Sequence, residues 1–290
     1  MKQINIYRAN NTFNLDDFSI KDKEYLYQEQ LLDDNDNVLK EVTYSPENLV
    51  ESNFEYSYNI NNQLVKEILI EEDEVTSNRE IEYNDKGKIE CEKAYYADDS
   101  FDKTYYKYDE NDRLVETRVM YNDEEEAGRT EYIYEGELLV KICEYDEDGK
   151  PSASKSIEYD ENKQPIEEIT EQYGEKWTRV IVYDSNNRVS QTKRYNQEDL
   201  LKERITYTFD DSDRVVAIKE EGVEGEFYQE TEYNDKGLIV LETQKDQNGI
   251  LLRQIERSYD EENRINIVKV HVQGRHNIAP MHYQLRYEYL

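Results

Sequence analysis

One short element recurs along nearly the whole chain, and its spacing constrains the fold more than any other feature. It consists of an aromatic residue, a polar turn rich in Asp, Asn and Gly, and an aliphatic residue six positions on. The copies are YNINNQL from Tyr58, YNDKGKI from Tyr83, YDENDRL from Tyr108, the shortened YEGELL from Tyr134, YDENKQP from Tyr159 (followed by Ile166), YDSNNRV from Tyr183, FDDSDRV from Phe209, YNDKGLI from Tyr233 and YDEENRI from Tyr259. A degenerate copy, LDDNDNV, starts at Leu32. Successive aromatic anchors lie 25, 25, 26, 25, 24, 26, 24 and 26 residues apart, so no long insertion interrupts the series. A fixed period in this range marks a repeat architecture.

Within each copy the residue two before the anchor is Tyr56, Ile81, Tyr106, Tyr132, Ile157, Ile181, Tyr207, Thr231 or Arg257, while the residue one before is mostly polar, as in Ser57, Glu82, Lys107 and Glu158. That period of two belongs to a strand with unlike faces. The polar segment between anchor and aliphatic reads as a hairpin loop, because Asp, Asn and Gly tolerate the left-handed backbone such loops need. Half a period later most copies show a second turn, as in YSPEN (Tyr44–Asn48), YADDS (Tyr96–Ser100), YDEDG (Tyr145–Gly149), YNQED (Tyr195–Asp199) and KDQNG (Lys245–Gly249). Two turns per period leave roughly seven residues per strand and predict an antiparallel meander of about 18 to 22 strands. Laid open it would be on the order of 90 to 100 Å long, and native twist would coil it. The expectation is an all-β chain of antiparallel β-hairpin repeats forming one curved, twisted, elongated or spiralling sheet. An N-terminal edge segment spans 1–30, the repeats 31–265 and a C-terminal basic cap 266–290.

Composition supports a thin, ordered structure. The 290 residues carry 68 Asp and Glu against 36 Lys and Arg, a formal charge of −32, with a mean hydropathy of −1.07. Only 36% of residues are hydrophobic, and 27 of those are Tyr. Disordered chains of similar charge are poor in aromatics, which here reach 12%. Such a charge repels nucleic acid and anionic membrane surfaces, so neither is expected as a partner. No apolar run approaches the roughly 20 residues of a spanning helix, and the N-terminus lacks a signal-peptide core. Two cysteines, Cys91 and Cys143, are too few for a disulfide scaffold. These features point to a cytoplasmic protein.

The element Y-D-x-x-x-R-[LV], seen in YDENDRL, YDSNNRV and FDDSDRV, resembles the tyrosine–aspartate (YD) repeat of the Rhs family, and YNDKGKI and YNDKGLI resemble its Gly-containing form. The resemblance spans about Leu32 to Ile265. It implies β-ribbons that spiral into a shell, with Tyr and Leu/Val packing and Asp and Gly making turns, and it carries no catalytic residues. It also implies a bacterial setting near toxin or secretion systems, with an immunity, adaptor or chaperone role and a toxin, effector or secretion component as partner. The period here is longer than is usual for that family, and only two of the nine anchor copies keep the turn Gly.

Catalytic signatures are absent: there is no G-x-S-x-G, no phosphate-binding loop, no G-x-G-x-x-G and no H-E-x-x-H. Acidic turns such as Asp33–Asn37 fail the EF-hand pattern, with Val38 at the required Gly and Tyr44 at the bidentate Glu. No enzyme activity and no cofactor are expected. The candidate binding residues are a Tyr face, comprising Tyr56, Tyr58, Tyr83, Tyr106, Tyr108, Tyr132, Tyr134, Tyr159, Tyr183 and Tyr207 with the single Trp177, and a basic C-terminal patch of Arg264, Lys269, His271, Arg275, His276, His282 and Arg286. Tyr combines contact area with a hydroxyl at low entropic cost and suits protein binding. The basic segment reads as a cap that protects a sheet edge, or else as a docking surface for an acidic partner. Its H-x4-H-x5-H spacing has no tetrahedral logic without a defined turn, so no metal is expected. An acidic nucleic-acid mimic and a carbohydrate-active enzyme using paired carboxylates are the alternative readings.

Overall fold

The computed structural model describes residues 1–14, 17–20, 23–96, 98, 100–122, 125–274 and 279–290, with backbone alone for 11–14 and 17–20. All regular structure among them is β. The strands are β1 (Lys2–Asn14), β2 (Asp17–Ile20), β3 (Tyr25–Leu32), β4 (Val38–Tyr44), β5 (Val50–Tyr58), β6 (Leu64–Glu71), β7 (Glu74–Tyr83), β8 (Ile89–Tyr95), β9 (Phe101–Tyr108), β10 (Leu114–Tyr121), β11 (Glu125–Glu135) and β12 (Leu138–Tyr145). There follow β13 (Pro151–Tyr159), β14 (Pro165–Gln172), β15 (Glu175–Tyr183), β16 (Val189–Tyr195), β17 (Leu201–Phe209), β18 (Val215–Gly222), β19 (Gly225–Tyr233), β20 (Ile239–Asp246), β21 (Leu251–Tyr259), β22 (Ile265–Val272) and β23 (Met281–Tyr289).

From β3 to β23 each strand pairs antiparallel with the next, and β1 pairs with both β3 and β23. The meander therefore closes into a barrel of 22 strands rather than the open or spiralling sheet expected from the repeat. The short β2 pairs only with the far end of β1 and stands outside the ring. Closure comes from the terminal strands, which carry no repeat signature: Ile4 to Asn10 lie opposite Tyr289 to Tyr283, and Gln3 and Leu290 exchange backbone hydrogen bonds of 3.3 and 2.9 Å. Pairing both terminal strands leaves the ring without a free edge.

The loops predicted from the repeat are present. In the turn after Tyr183, Asp184 Oδ1 accepts hydrogen bonds from the backbone N–H of Asn186 (2.8 Å) and Arg188 (3.0 Å). The fourth loop residue takes a left-handed φ of 60 to 79° in Asn62, Gly87, Asp112, Lys163, Asn187, Asp213, Gly237 and Asn263. This explains why Asn, Asp or Gly recurs there. These turns line one rim, called here the anchor rim, and the half-period turns line the far rim.

Following directly opposed residues across the sheet, Tyr56, Glu67, Arg79, Ala94, Asp102 and Tyr121 fall progressively farther from the anchor rim, by about one residue per strand. That stagger corresponds to a strand tilt of about 36°, and a circular barrel of this strand number and tilt is about 40 Å across at the backbone. With the right-handed tilt that strand twist imposes, the direction of this stagger and the bond from Asn59 N–H to the Gln63 carbonyl place Tyr56 and Tyr58 on the inner side. Exposure agrees: at every anchor copy the residue one before, from Ser57 to Ser258, is exposed, while the anchor and the residue two before are half-buried or buried. A concave wall crowds its side chains together, and a convex wall splays them.

The barrel is hollow. Among the described residues, the extensive strand-to-strand contacts all join hydrogen-bonded neighbours. The accessible surface is 18524 Å², whereas a compact monomer of this mass would expose about 13,000 Å². Among the described residues no large side chain is fully buried, and the one apolar cluster (Ile255, Val268, Val270 with Tyr283, Leu285 and Tyr287) lies beside the closing strands.

Lys163 is the misfit among the turn residues, holding φ 64° with a Cβ. Its ion pair to Glu137 is exposed on both sides and contributes little. Replacing Lys163→Gly is expected to raise stability by about 0.5–1 kcal/mol, read as a higher urea midpoint; an unchanged or lower midpoint would contradict the turn assignment.

Candidate functional site: a tyrosine-lined lumen

The anchors are structural first. Nine Tyr hydroxyls (Tyr58, Tyr83, Tyr108, Tyr134, Tyr159, Tyr183, Tyr233, Tyr259 and Tyr289) donate to the backbone carbonyls of Val38, Leu64, Ile89, Leu114, Leu139, Pro165, Val215, Ile239 and Ile265, at 2.7 to 3.0 Å. Each bond reaches the first residue after the preceding anchor-rim turn, except that of Tyr159, which reaches the second residue of β12. The Arg of the motif completes the link: Arg188 donates from Nε to Asp184 at 2.8 Å and lies over the ring of Phe209 at 4.3 Å. Arg113 over Tyr134, Arg214 over Tyr233 and Arg264 over Tyr289 repeat the arrangement. Tyr289 thus acts as a further anchor that no following turn reveals in the sequence. Phe209 has a ring but no hydroxyl.

Of the candidate Tyr face, Tyr58, Tyr83, Tyr108, Tyr134, Tyr159 and Tyr183 therefore spend their hydroxyls on the wall. Tyr56, Tyr106, Tyr132 and Tyr207, two residues deeper, line the lumen together with Ile81, Ile157 and Ile181. Burial and the Glu92 charge push the Tyr106 hydroxyl up to about 12. Farther from the anchor rim the inner wall turns ionic, with Arg79 to Glu92 (2.9 Å) and Lys155 to Glu168 (2.9 Å). Trp177 lies in this zone with Arg194 over its ring at 4.1 Å. Two cavities of about 470 and 290 Å³ flank this stack and share both residues, with Arg179, Thr170 and Phe227 among the other lining groups. The far rim carries exposed apolar residues at Leu49 and Tyr96 and then on four successive turns, at Tyr173, Leu200, Val223 and Ile250.

The outer wall is charged in mid-strand, with ion pairs such as Lys40–Glu55, Lys66–Glu80, Lys245–Glu230 and Lys269–Glu256 joining neighbouring strands and Arg129–Glu131 lying along β11. None of the described residues forms a helix long and apolar enough to cross a membrane.

The basic C-terminal residues do not form one patch. Arg264 belongs to an anchor-rim turn, bonded to Asp260 at 2.7 Å. Lys269, His271, His282 and Arg286 lie on the outer wall, Arg286 bonded to Glu24 at 2.8 Å and stacked over Tyr7 at 4.1 Å. Arg275 and His276 lie outside the described residues. Among the described residues no group of three or more His, Cys, Asp or Glu is placed to hold a metal ion. Cys91 and Cys143 lie on β8 and β12, with the Cys91 Sγ against the Glu92 carbonyl oxygen at 3.7 Å.

A family model described as "Uncharacterised protein" matches residues 14–169, just over half of the chain. The chain belongs to that family. No curated protein matches it. Among solved structures, the chain is similar to one titled TcdB2-TccC3-Cdc42 (9% identity, TM-score 0.43, 87% of this chain and 16% of that one) and to the Tc holotoxin pore of Photorhabdus luminescens (8%, 0.41, 86% and 15%). It is also similar to a porin-like protein of Bacteroides uniformis (8%, 0.37, 99% and 97%). The chain spans about a sixth of the length of the toxin-complex chains, and likenesses at these TM-scores extend no further than all-β architecture.

Two experiments test the wall. Tyr159→Phe is expected to cost about 1 kcal/mol, and Phe209→Tyr to gain up to a similar amount by supplying the missing hydrogen bond; equal urea midpoints for both variants and the parent would refute the clamp. Because the pKa values of Tyr106 and Tyr44 are raised to about 12 from 10, by burial first in each case, their contribution to stability is intact below pH 10 and lost as pH rises through 12. Tyrosinate absorbance should therefore lag behind that of free Tyr above pH 10 and then rise together with unfolding.

Proposed function

We propose that this chain is a non-enzymatic, cytoplasmic binding barrel whose lumen receives a polypeptide segment of a partner protein. The observation that carries the reading is the hollow, Tyr-lined interior, whose surface greatly exceeds that of a compact chain. Allowing for inward side chains, a barrel about 40 Å across leaves roughly 25 Å of free width, enough for an α-helix of about 10–12 Å. Deep Tyr side chains, the Trp177–Arg194 stack and the Arg/Glu zone offer aromatic contact and charge-assisted hydrogen bonds, while apolar residues ring the far mouth. The charged outer wall supports a protein surrounded by water. The resemblance of the turn motif to YD repeats supports a partner drawn from a bacterial toxin or secretion system, with this chain as immunity protein, adaptor or chaperone.

A photo-crosslinking amino acid placed at Tyr132, facing the lumen, or at Lys107, facing out, tests this in native lysate. A single adduct from position 132 and none from position 107 is expected; adducts at both positions, or none at 132 while the barrel remains folded, would overturn it.

A further inference from the structure

His271 on β22 and His282 on β23 stand directly opposite each other on the outer wall, away from the lumen. Their Nδ1 atoms are 2.7 Å apart, with ring planes within 7° and centroids 4.5 Å apart, so the imidazoles meet nitrogen to nitrogen, almost edge to edge. Gln254 lies opposite His271 on the other side, and Thr243 opposite Gln254, so one row of nitrogen and oxygen donors crosses four strands. The row borders an outer-wall cavity of about 800 Å³ that also includes Lys245, Gln273 and Pro280. Lys245 is ion-paired to Glu230 at 3.1 Å, and Gln254 donates its Nε2 to Glu256 at 2.7 Å, which leaves its carbonyl oxygen as an acceptor in the row.

We propose that His271 and His282 form a two-imidazole site for a borderline divalent transition ion, of which Zn²⁺ is the test case. Both Nδ1 atoms bind at about 2.0–2.1 Å, a tetrahedral geometry that sets them roughly 3.4 Å apart. Reaching it requires opening the present contact by about 0.7 Å, which the adjoining cavity permits. Imidazole pairs favour zinc, nickel and copper over the hard cations that the chain's many carboxylates attract. The Nδ1-to-Nδ1 contact pairs one N–H donor with one bare acceptor nitrogen, as two neutral rings of opposite tautomer supply. The proton now shared between the Nδ1 atoms moves through solvent to Nε2 of its own ring, and the ion binds without net proton release. Water and the Gln254 carbonyl oxygen complete the coordination, leaving positions open to exchange.

Calorimetric titration with Zn²⁺ in excess Mg²⁺, which occupies exposed carboxylates, should show one micromolar site. His271→Ala and His282→Ala should each weaken it at least about tenfold, while His276→Ala leaves it unchanged. Because the alanine variants could loosen the β22–β23 pairing, electron paramagnetic resonance of the unaltered protein with one equivalent of Cu²⁺ gives an independent reading, with two equivalent nitrogens expected. Zinc affinity unaffected by either alanine variant, a single copper-bound nitrogen, or loss of binding in His276→Ala alone would overturn the proposal.

Discussion

Everything in this barrel depends on the contact between successive repeats at the anchor rim. A thin sheet has no second layer to bury its apolar face against, so each hairpin must be held by the one beside it. The motif does this with three groups. Asp fixes both its own turn and the Arg five positions after the anchor; the Arg covers the aromatic ring of the next repeat; and that ring's hydroxyl takes the carbonyl that follows the turn. Each piece is weak alone, a net hydrogen bond being worth about 1 kcal/mol and an exposed cation–π contact about 0.5–1 kcal/mol. Repetition around the ring makes them collectively large, as in other linear repeat proteins where neighbour terms dominate.

Closure turns this linear logic into a ring. Each step across the sheet shifts by about one residue, so the tilt is the same from hairpin to hairpin and the final strands arrive beside the first. Tyr289 then stacks under Arg264 and bonds the Ile265 carbonyl as any anchor would, and β1 takes the place of the following hairpin arm. The chain ends occur where an anchor-rim turn would otherwise stand, with Met1 and Lys2 paired to Asp34 and Asp36 of the next turn.

Much of this was legible in the sequence, for a physical reason. Period-two alternation and left-handed turn residues are local properties, and they located the hairpins, the strand count and the sheltered Tyr face from Tyr56 to Arg257. Closure is non-local. Nothing in KQINIYRA or MHYQLRYEY states that the two segments pair, and the C-terminal strand, read as a cap, carries its anchor at Tyr289 without the turn that would disclose it. The Arg of the motif was visible, but its role was not, because its aromatic partner lies 21 residues downstream, as Arg188 does from Phe209. The row formed by His271 and His282 was hidden likewise, since their opposition depends on the register of β22 against β23.

A net charge of −32 looks costly for a thin protein, yet its placement follows from the closed ring. An open sheet needs charge on its edge strands to block pairing with other copies; a ring has no edges, so the strands are free to use their charges in pairs, as Lys66–Glu80 and Arg129–Glu131 do on the outer wall and Arg79–Glu92 does within. Acidic residues also gather in the turns, in runs such as Asp33 to Asn37 and Asp146 to Gly149, where cations offset only some of them, as Lys2 does Asp36 and Lys150 does Asp148. Both mouths of the barrel are then bordered by negative charge, and at the far one this border alternates with Leu49, Tyr173, Leu200 and Val223. On the binding role proposed above, a segment entering there meets apolar contact and attraction for cationic side chains before it reaches the Tyr wall, so the same excess acid that repels nucleic acid favours a basic polypeptide.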